Sequence, residues 1–225
     1  MRVAVFTEPH RGAGYDDQLR FARTLEAAGF EGFLRADHYQ AMGAEPGLPG
    51  PTDAWLTLAA TYSFLGDHYR LVDAPALPKP VQQPGPPVIV GGRGPRRTPE
   101  LAARYADEFN MPFKSVAETA ASYDRVIEAC DRHGRTDSGR APLVLSAGIV
   151  VAIGGTDAEV RERAAPLHRM SALPPEDPVI GSPAQLVDRI GEFAAVGAAR
   201  VHLRLADLAD LAHLELIAAE VLPQL

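Results

Sequence analysis

The chain has one cysteine in 225 residues, Cys130, so no disulfide can form within it and a reducing compartment is expected. Cys130 falls on the apolar face of a predicted helix, where a thiol acts as an inert packing group. Long apolar runs are also missing. The longest, 143–153, is broken by Ser146 and Gly148 and is far too short to span a bilayer. The N-terminus reads as a strand and lacks a signal-peptide layout, so no membrane partner is expected and the protein is placed in the cytoplasm. Basic charge is in deficit, with 22 Lys and Arg against 29 Asp and Glu and a net charge of −7. That excludes the broad basic face by which proteins hold nucleic acid. No Gly-x-Ser-x-Gly elbow is present, which leaves hydrolysis without a nucleophile. His68, His133, His168, His202 and His213 show no ligand spacing with acids or with Cys130, so no metal site is expected. Apolar residues, by contrast, make up 46% of the chain, enough at this length to bury a real core. No composition break divides it, and a single domain over residues 1–225 is expected.

Apolar runs alternate with helical patterns. RVAVFT (2–7) suits a buried strand, and residues 15–28 carry Leu19, Phe21, Ala22 and Leu25 at helical spacing until Gly29. A second strand lies around Phe33 and Leu34, with Asp37 and His38 where it runs out. A Gly/Pro loop then leads to Thr52, which caps a helix starting at Asp53. From 62 to 87 the rhythm breaks. SFLGDHYRL suggests a hairpin turning at Gly66 and Asp67, and six prolines in residues 74–87 allow neither a helix nor an interior strand. Afterwards the alternation resumes, with strands near 88–90, 109–112, 143–153 and 200–205. Capping boxes at Ser115/Glu118 and Thr156/Glu159 open two of the helices, Ser182, Pro183 and Gln185 a third, and residues 208–222 close the chain. Leaving the hairpin aside, six strands are each followed by a helix, which implies parallel pairing through right-handed crossovers. The choice lies between a barrel and an open doubly wound sheet.

Residues 86–110 organise the chain. A β-branched strand stops at Gly91 and Gly92, Arg93 and Gly94 follow, and Thr98 with Pro99 opens a helix. Glycines let a ligand approach the backbone, and free N–H groups at a helix start favour an anion, for which phosphate is the natural candidate. Arg93, Arg96 and Arg97 add charge suited to phosphate oxygens. The same residues are also compatible with a tight turn flanked by solvated arginines. GGRG does not fit the dinucleotide fingerprint, and it follows the third strand rather than the first, which disfavours a Rossmann domain. In a barrel, chemistry collects at the carboxyl ends of the strands. Glu8, Asp37, His38, the glycine loop, Asn110 and Asp207 fall at or near such ends, with Asp107 and Asn110 read as structural.

Taken together, FTEPH, RADHY, GPTDAW, YRLVDAPALPKPVQ, PPVIVGG, LAARYADEFN and LELIAAEVLPQL resemble the bacterial luciferase-like flavin-dependent family. More narrowly they are similar to its coenzyme F420 (deazaflavin) dependent oxidoreductases. The resemblance implies a TIM-barrel-like (β/α)₈ fold with the cofactor ring over the carboxyl face and hydride transfer between the ring and a small organic substrate. By this resemblance Gly91, Gly92, Arg93 and Gly94 take the cofactor phosphate. His38, with Asp37, stands beside the ring as a polar or acid/base residue, and Glu8 is a further active-site candidate. Two other activities remain open: an FMN-dependent monooxygenase of the same fold, and a shortened, non-catalytic member that binds a flavin or a partner.

One departure is large. In the family pattern two more strand-helix units follow the GPTDAW helix, whereas here Leu58, Ala59 and Ala60 run directly into the hairpin. Roughly eighty residues, two of eight units, are expected to be absent at the 60/61 junction. The α/β barrel is then incomplete, with about six units and a loop-rich excursion at 62–87. Three outcomes follow: a tighter six-stranded closure, an opening plugged by residues 62–87, or a second chain covering the gap. Inward side chains sized for eight strands do not repack easily around six, and exposed parallel edges associate. A shared or plugged edge is expected, and with it a homodimer or poor solubility; a monodisperse, heat-stable monomer by light scattering would count against it.

Overall fold

The structure is a computed structural model and describes residues 1–8, 15–35, 62–65, 70–74, 87–169 and 177–225. Its strands are β1 (Arg2–Thr7), β2 (Gly32–Arg35), β3 (Tyr62–Leu65), β4 (Arg70–Ala74), β5 (Ile89–Gly91), β6 (Glu108–Pro112), β7 (Val144–Ile153), β8 (Val179–Gly181) and β9 (Arg200–Arg204). The helices are α1 (Tyr15–Ala27), α2 (Arg97–Tyr105), α3 (Val116–Arg132), α4 (Asp157–Arg169), α5 (Pro183–Ala195) and α6 (Leu211–Glu220). Local chemistry sets most of the boundaries. Gly29 ends the first unit at φ 81°, a left-handed conformation that glycine adopts without strain. Ser115 caps α3 by accepting from the Glu118 N–H. Thr156 and Glu159 exchange side-chain and backbone bonds ahead of α4, and Ser182 with Gln185 forms the full reciprocal box of α5.

The main sheet runs β2-β1-β9-β7-β6-β5, every neighbouring pair parallel. The first strand pairs with the last long one, β9, in register from Arg2↔Arg200 to Phe6↔Arg204. This is the cyclic order of a (β/α) barrel with two adjacent strands left out between β2 and β5. Among the described residues those two strands end the sheet and do not pair with each other. Among the described residues the six-stranded closure does not form, and the fold is an incomplete, half-barrel version of the TIM-like luciferase architecture. The two strands of the expected hairpin are present as β3 and β4, antiparallel with an irregularity between Tyr62 and Phe64, while Gly66 and Asp67, where the turn was expected, lie outside the described residues. The expected helix from Asp53 lies outside the described residues.

One element departs from the six-strand reading. Residues 179–181 form β8, which pairs with the overhang of β7 at Val151–Ile153 although the sequence there reads as irregular. Three residues, of which Val179 is buried and Ile180 exposed, are too few to show a period, and only the length of β7 gives them a partner.

Side chains alternate between the two faces of each strand. Val3 and Val5, Phe109 and Met111, Ile149 and Val151, and Val201 and Leu203 point outward into one continuous core with the helices. The inward positions are instead unusually polar, and they hold the candidate site. At the end of β7 the helices are locked by a small polar cluster. Arg163 of α4 grips both oxygens of Asp210 at 2.7 and 3.2 Å and donates to the Ile153 carbonyl at 2.9 Å. Asp210 caps α6, and the Ile153 N–H donates to Nε2 of His213 at 3.2 Å. His213 must be neutral to accept that bond. Burial, aided by the Arg163 charge and opposed by Asp210, lowers its pKa from 6.5 to about 4.

The sign follows from linkage. This group contributes stability above pH 6.5, and the contribution is lost as pH falls toward 4, because the unfolded chain takes up the proton first. The drop corresponds to on the order of 3 kcal/mol. Urea unfolding followed from pH 7 to 4.5 is expected to show this loss in the wild type and a flatter profile in His213→Gln. Parallel profiles would refute the assignment.

Candidate functional site

The glycine loop joins β5 to α2. Asp107 anchors the start of the strand: its Oδ2 accepts from the Val88 N–H at 2.8 Å, and its own N–H donates to the Val88 carbonyl at 2.8 Å. This agrees with its structural reading. After Gly91 the chain wraps closely round Thr98 in the first turn of α2. A Cβ on Gly92, whose φ is 151°, would lie 3.1 Å from Thr98 Oγ1, and one on Gly94 would lie 2.9 Å from the same atom. Side chains at either position would push the loop off the helix start.

Unlike α3, α5 and α6, α2 has no side-chain cap; its N-cap residue is Arg96. The carboxylate of its first turn, Glu100, is turned toward α3, bonded to Arg132 at 2.6 Å and in short contact with His133. The Arg132 hydrogen bond, followed by that of His133, holds its pKa below the usual carboxylate range. Arg93, Arg96 and Arg97 are all exposed around the loop. Glycine amides at close approach, an uncapped helix start, three guanidinium groups and a neutralised carboxylate together fit a phosphate group in chemistry and charge.

The inward face of the sheet supplies the rest of the site. Near the amino ends of the strands Glu108 is fully buried and is the centre of a network. Oε1 accepts from Ser146 Oγ at 2.6 Å and meets His202 Nε2 at 2.6 Å, while Oε2 is in short contact with Arg200. Asn110 donates to Ser146 at 2.9 Å, and Arg200 continues to Glu31 at 2.6 and 2.7 Å. Burial is the largest influence on Glu108 and raises its pKa. The hydrogen bonds of His202 and Ser146 and the charges of His202 and Arg200 outweigh it, so the carboxyl stays below its ordinary value. Asn110 lies in mid-strand and Asp207 closes a turn by accepting from the Ala209 N–H at 2.8 Å. Both therefore belong to the scaffold.

Toward the carboxyl ends, Glu8 after β1 is in short contact with Arg204 of β9, with side chains 17% and 9% exposed. The Arg204 guanidinium lies 5.4 Å from the ring centroid of Phe113, which follows β6, and the Phe6 ring is 6.3 Å from that of Phe113. The structure thus joins Glu8 to Arg204 and Phe113. It sets the glycine loop four strand steps from β1, roughly 19 Å along the sheet at about 4.8 Å per strand. Asp37 and His38 lie outside the described residues. Arg204 was missed by the sequence reading although RVHLRL carries its signal, since alternation puts Arg200, His202 and Arg204 on one face. Phe113 has no local signal at all. Among the described residues no group of three His, Cys, Asp or Glu side chains is arranged to hold a metal.

No curated protein matches the sequence. Among solved structures, one described as an F420-dependent secondary alcohol dehydrogenase in complex with an F420-acetone adduct is 12% identical with a TM-score of 0.68, over 99% of this chain and 98% of that one. Apo-MsnO8 is 15% identical with a TM-score of 0.58, over 97% and 98%. The coenzyme F420 dependent tetrahydromethanopterin reductase from Methanopyrus kandleri is 13% identical with a TM-score of 0.52, over 99% and 83%. At such identities these likenesses establish the shared fold. The luciferase-like monooxygenase family description matches residues 53–178, more than half of the chain, and with it the cyclic strand order acquires its family: the chain belongs to the luciferase-like monooxygenases.

Proposed function

We propose that this protein is an oxidoreductase that holds a deazaflavin cofactor, coenzyme F420, across the carboxyl face of its half-barrel and acts on a small organic substrate. The observation that carries this reading is the loop of Gly91, Gly92, Arg93 and Gly94 wrapped round Thr98 at the uncapped start of α2. When bound, the cofactor supplies a ring able to accept or donate a hydride. The chain supplies the rest. The backbone amides of residues 91–94 and the first turn of α2 bind the phosphate, with Arg93 adding charge. His38, which follows Asp37 in the sequence, is the residue assigned to exchange a proton with the substrate hydroxyl or carbonyl. Glu8, engaged by Arg204, acts at the mouth by holding that guanidinium in place and orienting the bound molecule.

The chain is read as one domain with an excursion at 62–87 and two units absent at the 60/61 junction, consistent with β2 and β5 both ending the sheet. Those two edges support a homodimer; among the described residues no helix is long and apolar enough to cross a membrane. A second reading, an FMN-dependent monooxygenase, is favoured by the family description, luciferase-like monooxygenase, over residues 53–178.

Fluorescence titration with F420 and with FMN, followed by single-turnover assays, separates the readings. Tight F420 binding with hydride transfer is the expected result. FMN binding with oxidation of reduced nicotinamide selects the second reading, and binding without turnover selects a non-catalytic shortened member. Binding of neither cofactor overturns the assignment.

A further inference from the structure

The turn after β7 has the same layout as the one after β5: a strand end, paired glycines and a helix start. After β7 the third residue of α4, Glu159, folds back over the turn. Its Oε2 accepts from the Gly155 N–H at 2.8 Å and from the Thr156 N–H at 3.0 Å. The third residue of α5, Gln185, does the same for the Ser182 N–H at 2.8 Å. Both helix starts therefore carry an acceptor of their own. In α2 the third residue is Pro99, whose side chain has none. The next residue is Glu100, the carboxylate of the first turn, and by its charge it opposes any phosphate drawn to the same helix start.

Glu100 is held elsewhere. Its Oε1 accepts from Arg132 Nη2 at 2.6 Å, and its Oε2 is in short contact with His133. Both partners come from the far end of α3, Arg132 in its last turn and His133 as its C-cap. Arg132 also faces Glu128 at 3.9 Å, so its closer bond is the one to Glu100. With side chains 55% and 39% exposed, an ion pair of this kind adds little to stability. What it changes is the charge at the start of α2.

We propose that Arg132, with His133 beside it, is a positioning residue for the cofactor phosphate. Acting through Glu100, it keeps the carboxylate of the first turn on α3 and leaves the amides of residues 91–94 and of the helix start to the ligand's anion. This deepens the cofactor reading above and rests on it. A charge in the first turn of a helix alters the affinity for an anion there by about threefold to tenfold.

The test reads, by fluorescence titration at low salt, the preference for the phosphorylated member of two pairs: FMN over riboflavin, and F420 over its ring fragment without phosphate. The variants are Arg132→Ala, Arg132→Lys, Glu100→Gln and the double variant Arg132→Ala/Glu100→Gln, with urea midpoints recorded for each. The ratio isolates the phosphate, because a purely structural tie between α2 and α3 would weaken both members of a pair alike. Arg132→Ala is expected to lower the ratio threefold to tenfold, and Arg132→Lys, which keeps the charge, to retain most of it. Glu100→Gln alone and the double variant, both free of the carboxylate charge, are expected to match or exceed the wild-type ratio. An unchanged ratio in Arg132→Ala, a loss that the double variant does not restore, or a lowered ratio in Glu100→Gln would overturn the proposal and leave the phosphate reading intact. A wild type with no preference in either pair would overturn both.

Discussion

Glu108→Ala is expected to lower unfolding stability by on the order of 3–5 kcal/mol, the cost of removing one partner from a buried ionic group. The carboxylate is 1% exposed and meets Ser146, His202 and Arg200 at once. The loss is not shared equally among them. Arg200 keeps two bonds to Glu31, so the uncompensated polarity falls mainly on His202 and Ser146, both buried on the inward face. Glu108→Gln retains the shape and one acceptor and is expected to cost about half as much. Because domains are stable by only about 5–15 kcal/mol, the alanine variant should sit near its unfolding transition at 37 °C. Urea midpoints at pH 7 give the number. A loss below 1 kcal/mol would mean that the inward network contributes little and that the outer core alone holds the half-barrel. The pH dependence has a defined direction. A carboxyl held below its ordinary value contributes stability above the unfolded pKa of about 4.5, and that contribution fades as pH falls through the folded value. This window lies below the one set by His213, so the two contributions separate along one titration.

Gly94→Val is expected to weaken F420 or FMN binding by about 10- to 100-fold, from overpacking of roughly 1–3 kcal/mol placed on the loop. The new Cβ would fall 2.9 Å from Thr98 Oγ1. Thr98 is β-branched and fixed in the first turn of α2, so it cannot swing aside as a long side chain would. The loop must lift, and its amides leave the helix start. The mechanism makes a second prediction within the same experiment: Thr98→Ala removes the obstructing atoms, and the double variant should recover most of the lost affinity. Failure of rescue would show that the valine acts through something other than the fit between loop and helix. An unchanged affinity in the single variant would show that the loop does not hold the cofactor.

The parts of this fold legible in the sequence are those written locally. A buried β-branched run, the glycines after it and the helix signals of Thr98 and Pro99 lie within a dozen residues, and each capping box lies within four. The parts not legible depend on distant pairing. Arg204 meets Glu8 across 196 positions and Arg200 meets Glu108 across 92, and no spacing rule links such residues until the strand order is known. β8 exists because β7 is ten residues long and overhangs its neighbours, which its own three residues cannot announce. The conformation of Phe113 depends on Gly148 lying opposite it across two paired strands. The polar inward face was hidden for a simpler reason. Glu108, Ser146 and His202 each look like one polar residue in an otherwise apolar strand, and only parallel register stacks them into one network. Of the sequence-derived candidates, the glycines and Glu8 stand at strand ends, as a barrel requires; Asp37 and His38 lie outside the described residues.

The central claim is that a glycine loop at one strand end grips a phosphate and so aims a redox ring across an incomplete barrel. It is tested most directly by the ratio of wild-type affinities for a phosphorylated flavin and its unphosphorylated counterpart, FMN against riboflavin, and F420 against its ring fragment without phosphate. A phosphate held by backbone amides and an arginine predicts at least a tenfold preference for the phosphorylated member of one of these pairs. Equal affinities within both pairs would contradict the account.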